Sequence, residues 1–155
     1  MTNSGVGNQE IQSVLQFRNY VVNSVEFHVN HEFNADESVD LDFQVSREIE
    51  FVEDEAIILL VTLNVAIFKN AIERNYPFSM NISVTGFFEV DGANGEQKQG
   101  LAEVNAVAIL FPYIRALVTT YTANANINPL VLPPINIVKM IESQARIEQI
   151  DKLVE

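Results

Sequence analysis

The stretch "ILFPYIRALVTTYTANANINPLVLPPINI", residues 109 to 137, holds a single charged residue, Arg115. Ile114, Leu117, Val118 and Tyr121 recur at helical spacing, and so do Val104, Val107, Ala108 and Phe111 just before them. Pro112 lies between the two sets. It suits the first turn of a second helix and should break or kink the run there. Residues Asn124 to Asn128 stop that helix, and "PLVLPP" is too irregular to be a buried strand. An acidic chain therefore carries an apolar helix followed by an apolar loop.

Upstream of this stretch the period is two. Phe78, Met80, Ile82, Val84, Phe88 and Val90 share one face of a strand, with Ser79, Asn81, Ser83, Thr85 and Glu89 on the other. Gly86 falls on the apolar side and marks a bulge or a close backbone approach. Ala56 to Lys69 puts Ile57, Leu59, Val61, Leu63, Val65 and Ile67 on one face and a mixed set on the other. Asp40 to Ser46 alternates with Leu41, Phe43 and Val45 inward. Leu15 to Phe27 is a weaker strand, with Leu15, Phe17, Val21, Val25 and Phe27 at even spacing. Short links, "EFVEDEA" and "KNAIERNY", imply antiparallel neighbours, because a parallel return needs a crossover of a dozen or more residues. The first link, "HVNHEFNADES" (His28 to Ser38), has the length of a crossing loop. A turn, "DGANGEQKQG", precedes the helices, and a last helix starts near Asn136 with Met140, Ile147, Ile150 and Val154 on one side.

These elements predict an α+β fold: a four-stranded antiparallel sheet with a crossover loop after strand 1, packed against C-terminal helices. At 155 residues one domain is expected, over 14–155, behind a flexible N-terminus, 1–13. The formal net charge is −12, which disfavours nucleic acid as a partner. The charge is uneven: residues 26 to 55 hold eleven acids and one base, Arg47. Solubility through self-repulsion accounts for such a surface, and so does a docking face for a basic partner. Cysteine is absent, which removes disulfides and thiolate chemistry and fits a reducing cytoplasm. "MTNSGVGNQEIQ" has neither region of a signal peptide. The longest near-apolar run, Ala56 to Phe68, is too short and too polar to cross a bilayer, so no membrane insertion is expected.

A search for chemistry finds little. His28, His31 and Glu32 match no metal motif, and loop histidines in water explain them. "DGANGEQ" lacks the lysine and helix start of a phosphate cradle, and no glycine-framed serine nucleophile occurs. The Asn81-Ile82-Ser83 glycosylation pattern sits inside a strand. No cofactor and no enzyme activity are expected.

The opening stretch closely resembles the SecB export chaperones, in which an "LFPY-R" helix start is followed by a loop like "P-L-L-PPINF". The order of elements agrees over roughly residues 14 to 155. The resemblance implies an ATP-independent cytoplasmic holdase, usually a dimer of dimers, that binds unfolded polypeptides along apolar grooves. Carried over by position, the client groove comprises Phe33, Leu41, Phe43, Phe111, Tyr113, Leu117, Leu130, Val131 and Leu132. Packing alone also accounts for Ile114, Leu117 and Val118. Phe78, Met80, Ile82 and Val84 match positions that bear on oligomer formation. Glu26, Ser79 and Asn81 occupy the outer face that docks the SecA motor in this family, but Ser79 and Asn81 carry no charge. The chain ends in "RIEQIDKLVE", without the zinc-binding tail of typical members. Both departures argue against SecA docking and leave client holding intact, including protection of an antitoxin. Two other readings stand beside this one. A hotdog-like enzyme or small hydrophobic-ligand binder would have to use Glu103 or Arg115, and a bare oligomeric module would not suppress aggregation.

Overall fold

The computed structural model describes residues 15–91 and 100–154. The expected flexible N-terminus and the centre of the "DGANGEQKQG" turn lie outside the described residues, as does the side chain of Glu103. Four antiparallel strands, β1 (Leu15–Val29), β2 (Phe43–Glu53), β3 (Ile57–Ile67) and β4 (Phe78–Val90), form one sheet in the order β1-β4-β3-β2. A single-turn helix, α1 (Ala71–Arg74), joins β3 to β4. A π-helical turn (Leu101–Ala106) leads directly into α2 (Val107–Asn124), and α3 (Ile137–Val154) closes the chain. The architecture is the predicted α+β one, with the crossover between β1 and β2.

Alternation explains the sheet. The even-numbered positions of β4 from Phe78 to Val90 are all buried and pair with the buried odd positions of β3. Their opposite face carries Thr62, Asn64, Ser83, Thr85 and Asn81. That outer face is tied by side chains: Asn23 donates to the hydroxyls of Ser83 and Thr85, and Thr62 bonds Thr85 at 2.7 Å.

Three boundaries differ from the sequence reading, each for a local reason. β2 runs on to Glu53, because Ile49 and Phe51 continue the inward alternation while Glu48 and Glu50 face solvent on an edge strand, where charge costs nothing. Leu41 precedes this strand and stays exposed. In β1, register shifts at Arg18 and Asn23 reset the phase. Tyr20 therefore turns to the inner face, and Val21, opposite Thr85, is 44% exposed on the outer one. Pro112, finally, does not start a second helix. It lies on the solvent side inside a continuous α2, while Leu110, Phe111 and Ile114 are held on the sheet side.

The fit of α2 depends on Gly86. A Cβ there would stand 2.8 Å from the ring of Phe88 and 3.1 Å from a methyl of Leu110, so the glycine lets Leu110 rest on bare backbone. The close approach read from the sequence is thus real, and the bulges are in β1. By length and composition, Val104–Asn124 would be long enough to cross a membrane. Its buried residues, however, are committed to the sheet. Gly86→Val should overpack this contact and destabilise the fold by about 1–3 kcal/mol, read as a lowered Tm or urea midpoint.

Candidate functional site

The loop after α2 has apolar residues but, among the described residues, no strand to pair with, and α2 supplies what a strand would. Arg115, Thr119 and Thr122 stand at i, i+4 and i+7, on one flank of the helix. Arg115 Nε donates to the carbonyl of Leu132 at 2.9 Å, and Thr119 Oγ1 donates to the carbonyl of Leu130 at 2.9 Å. Thr122 Oγ1 accepts the N–H of Leu130 at 2.8 Å and donates to the carbonyl of Val118 at 2.8 Å. Thr122 is fully buried, and both halves of its hydroxyl are used. The loop is thereby held extended, and its side chains alternate. Leu132 is wholly buried, Leu130 half-buried, and Val131 between them is 66% exposed.

The other flank of α2 is aromatic. Tyr113 lies 4.9 Å from Tyr20 and 5.3 Å from Phe17, ring centre to ring centre, and Tyr121 lies 6.0 Å from Phe27. These offset or tilted pairs pack β1 against the helix while leaving Tyr113 and Tyr121 39% and 44% exposed. Leu117 falls on the same flank, one turn from each. The solvent face between the flanks, Asn105, Ile109, Pro112, Ala116, Thr120 and Ala123, has no charge at all.

The crossover loop is anchored by asparagines. Asn30, buried, donates from Nδ2 to the carbonyls of Ala71 and Tyr76, and its Oδ1 accepts the N–H of Glu32. Asn34 and Asn75 exchange bonds, Asn34 N–H to Asn75 Oδ1 at 2.8 Å and Asn75 Nδ2 to the carbonyl of Asn34 at 3.0 Å. Asn75 has a φ of 57°, the left-handed conformation that asparagine tolerates better than most residues.

The nine groove residues read from the sequence are not one contiguous set. Tyr113 and Leu117 belong to the aromatic flank, and Leu130, Val131 and Leu132 to the loop on the opposite flank. Phe33, Leu41 and Phe43 belong to the crossover and the start of β2. Phe111 and Leu132, at 3% and 0% exposure, are interior, as are Ile114 and Val118. The expected oligomer residues also need correction. Phe78, Met80, Ile82 and Val84 are at most 4% exposed within the single chain, beneath its own helices, so their side chains form no subunit surface. Glu26, Ser79 and Asn81 do lie together on the outer face, since Glu26 pairs with Asn81 and His28 with Ser79. A cleft of about 810 Å³ separates that face from the distal half of α3, whose Ile147, Glu148 and Asp151 form its far wall. Among the described residues no group of three histidines or carboxylates is placed to hold a metal.

The sequence reading missed Thr119 and Thr122, although two threonines in register with the arginine of an otherwise apolar helix were the available signal. It also missed Asn30 and Asn75, which read as ordinary loop polarity.

The family model for preprotein translocase subunit SecB matches residues 8–148. The chain belongs to the SecB family. An uncharacterized protein of Methanocaldococcus jannaschii is 38% identical over 136 residues, 88% of this chain and 86% of that one. The protein-export protein SecB of Rickettsia bellii is 28% identical over 108 residues, 70% of this chain and 66% of that SecB. Among solved structures, a SecB-like chaperone of Mycobacterium tuberculosis in complex with an antitoxin peptide superposes with a TM-score of 0.57. That alignment has 18% identity and covers 82% of this chain and 95% of that one. It shows the same SecB-like fold, and SecB membership carries a chaperone role in general.

The hydrogen bonds from α2 should be what holds the loop. Thr122→Val keeps the shape but strands the N–H of Leu130, and should cost about 1–3 kcal/mol. Amide exchange at Leu130 should rise more than at Val118, one turn earlier in the helix.

Proposed function

We propose that this protein is an ATP-independent holdase that binds non-native polypeptides through apolar surface displayed by α2, its following loop and the crossover. The observation that carries this reading is Val131. It projects 66% exposed between half-buried Leu130 and buried Leu132, from a loop whose backbone is bonded to α2. With Ile109, Tyr113 and Tyr121 of α2, each 37–44% exposed, it makes up more apolar surface than one scattered residue, the kind of surface that serves for contact. The client-facing residues are then Val131 and Leu130 on the loop, Tyr113 and Leu117 on the aromatic flank of α2, and Phe33, Leu41 and Phe43 at the crossover and the start of β2, three separate apolar surfaces. Phe111 and Leu132 are interior and support the fold beneath α2 and the loop. Each contact is modest and needs little sequence match, as a holdase requires.

Clients of this kind include an antitoxin segment, the partner class named for the mycobacterial relative, and precursors for export. SecA docking would use Glu26 with the uncharged Ser79 and Asn81, and should be weak and salt-sensitive. A cytoplasmic location, no cofactor and no nucleic-acid partner complete the reading.

Val131→Ser should lower suppression of aggregation of a denatured client while leaving the thermal melt unchanged. Leu132→Ser, at a fully buried position, should instead lower the melt by about 2–5 kcal/mol of stability. A Val131→Ser variant that melts early yet still holds clients would assign the loop to packing alone.

Self-association belongs to the same proposal. The charge-free solvent face of α2 suits a subunit contact, so Ala116→Asp should shift the sedimenting mass downward with the fold retained. Met80→Asp, at a position 1% exposed, should unfold the chain. A wild-type monomer at micromolar concentration would overturn the subunit contact.

A further inference from the structure

Helix α3 is anchored at one end only. Its first turns dock through Ile137 and Ile141, both buried, and through Gln144, whose Oε1 accepts the N–H of Val45 in β2 at 3.2 Å. Beyond that bond every residue from 145 to 154 is exposed. The apolar ones gather on one side. Ile147, Ile150 and Val154 stand at i, i+3 and i+7 and are 59%, 58% and 82% exposed, with Leu153 beside them at 85%. At 3.6 residues per turn this stripe points away from the docked side of the helix. Met140, in line with it one heptad earlier, is half-buried against the core. Four adjoining large apolar side chains on one short helix are more than scattered surface residues.

The flanking charges decide what covers the stripe. With Ile147 and Ile150 as positions a and d of a heptad, Val154 is the next a, Arg146 falls at g and Asp151 at e. Neither charge has an ion-pair partner among the described residues. In a parallel helix pair, g of one chain lies beside the e that follows it in the other, and Arg146 and Asp151 have that spacing. An antiparallel pair would set g against g and e against e, like charge against like. A membrane surface fits poorly. Lys139, Arg146 and Lys152 are balanced by Glu142, Glu148 and Asp151, without the cationic excess of a lipid-binding helix. We propose that residues 146–154 of α3 pair in parallel with the same segment of a second copy, Arg146 of each chain meeting Asp151 of the other. The contact is isologous, so it closes on itself and leaves no apolar surface over. Four side chains fall far short of the roughly 20 residues a side of a stable interface, so the pairing adds to an assembly held elsewhere. It therefore rests on the self-association proposed for α2.

The chain has no cysteine, so a single introduced one reports on the pairing. In the full chain, in a glutathione redox buffer, Ile150→Cys on the stripe should form an interchain disulfide. Lys152→Cys, on the far side of the same turn, should stay reduced. Both positions are exposed, so the fold is kept. In the Ile150→Cys background, Arg146→Asp should lower the equilibrium constant for the disulfide about tenfold, because two attractive pairs become repulsive. Adding Asp151→Arg should restore it. Sedimentation of the cysteine-free chain and of Ala116→Asp decides the α2 contact separately. An oligomer that leaves Ile150→Cys reduced, or a disulfide indifferent to the charge changes, overturns the α3 pairing and leaves the stripe to a partner of another kind. A chain that sediments as a monomer yet forms the charge-dependent disulfide removes the α2 contact alone. A monomer without the disulfide overturns both.

Discussion

Leu130 and Leu132 are drawn into the interior by their side chains, yet the backbone between them has, among the described residues, no strand to pair with and the prolines around them allow no helix. A buried, unpaired peptide group is costly, so the loop can lie on the protein only where something else satisfies it. Arg115, Thr119 and Thr122 do this from one flank of α2. Much else is arranged around that constraint. Helix α2 must sit close to the sheet, which Gly86 permits by leaving room for Leu110. The opposite flank must then take up the aromatic side chains of β1. The alternation imposed on the loop is what sends Val131 outward.

The sheet was largely legible because burial on one face writes itself into the sequence with period two. Every inward residue expected in β3 and β4 is inward. Legibility failed where the pattern met an edge or an irregularity. Glu48, Glu50 and Glu53 look like the end of a strand, but an edge strand tolerates charge on its wet side, and Ile49 and Phe51 carried the alternation on. In β1 the bulges at Arg18 and Asn23 shift the phase twice, so a fixed even spacing put Val21 inside in place of Tyr20. Pro112 looks like a break, yet on the solvent side of a helix anchored by its other face it removes one bond without ending the helix.

The candidate site was less legible than the fold, for a physical reason. An apolar residue that contacts a client and one that fills the core obey the same pattern, and only exposure separates them. Phe111 and Leu132 shared the motif with Val131 but not its surroundings. Phe78, Met80, Ile82 and Val84 formed a convincing apolar face whose partner proved to be the chain's own helices. The residues that brace the loop are polar and drew no attention among apolar neighbours.

The topology of the sheet also sets an order of events. Strand β1 pairs only with β4, Val29 meeting Phe78 and Leu15 meeting Val90, whereas β2, β3 and β4 pair with their neighbours in sequence. During synthesis the first strand therefore emerges without its partner and waits while β2 and β3 close as a hairpin. Its aromatic residues, Phe17, Tyr20 and Phe27, stay uncovered until β4 has been made. The long-range closure of β1 onto β4 should limit the folding rate, since non-local pairing is slow. Until that step is complete, the nascent chain is itself an unfolded polypeptide displaying an apolar, extended segment.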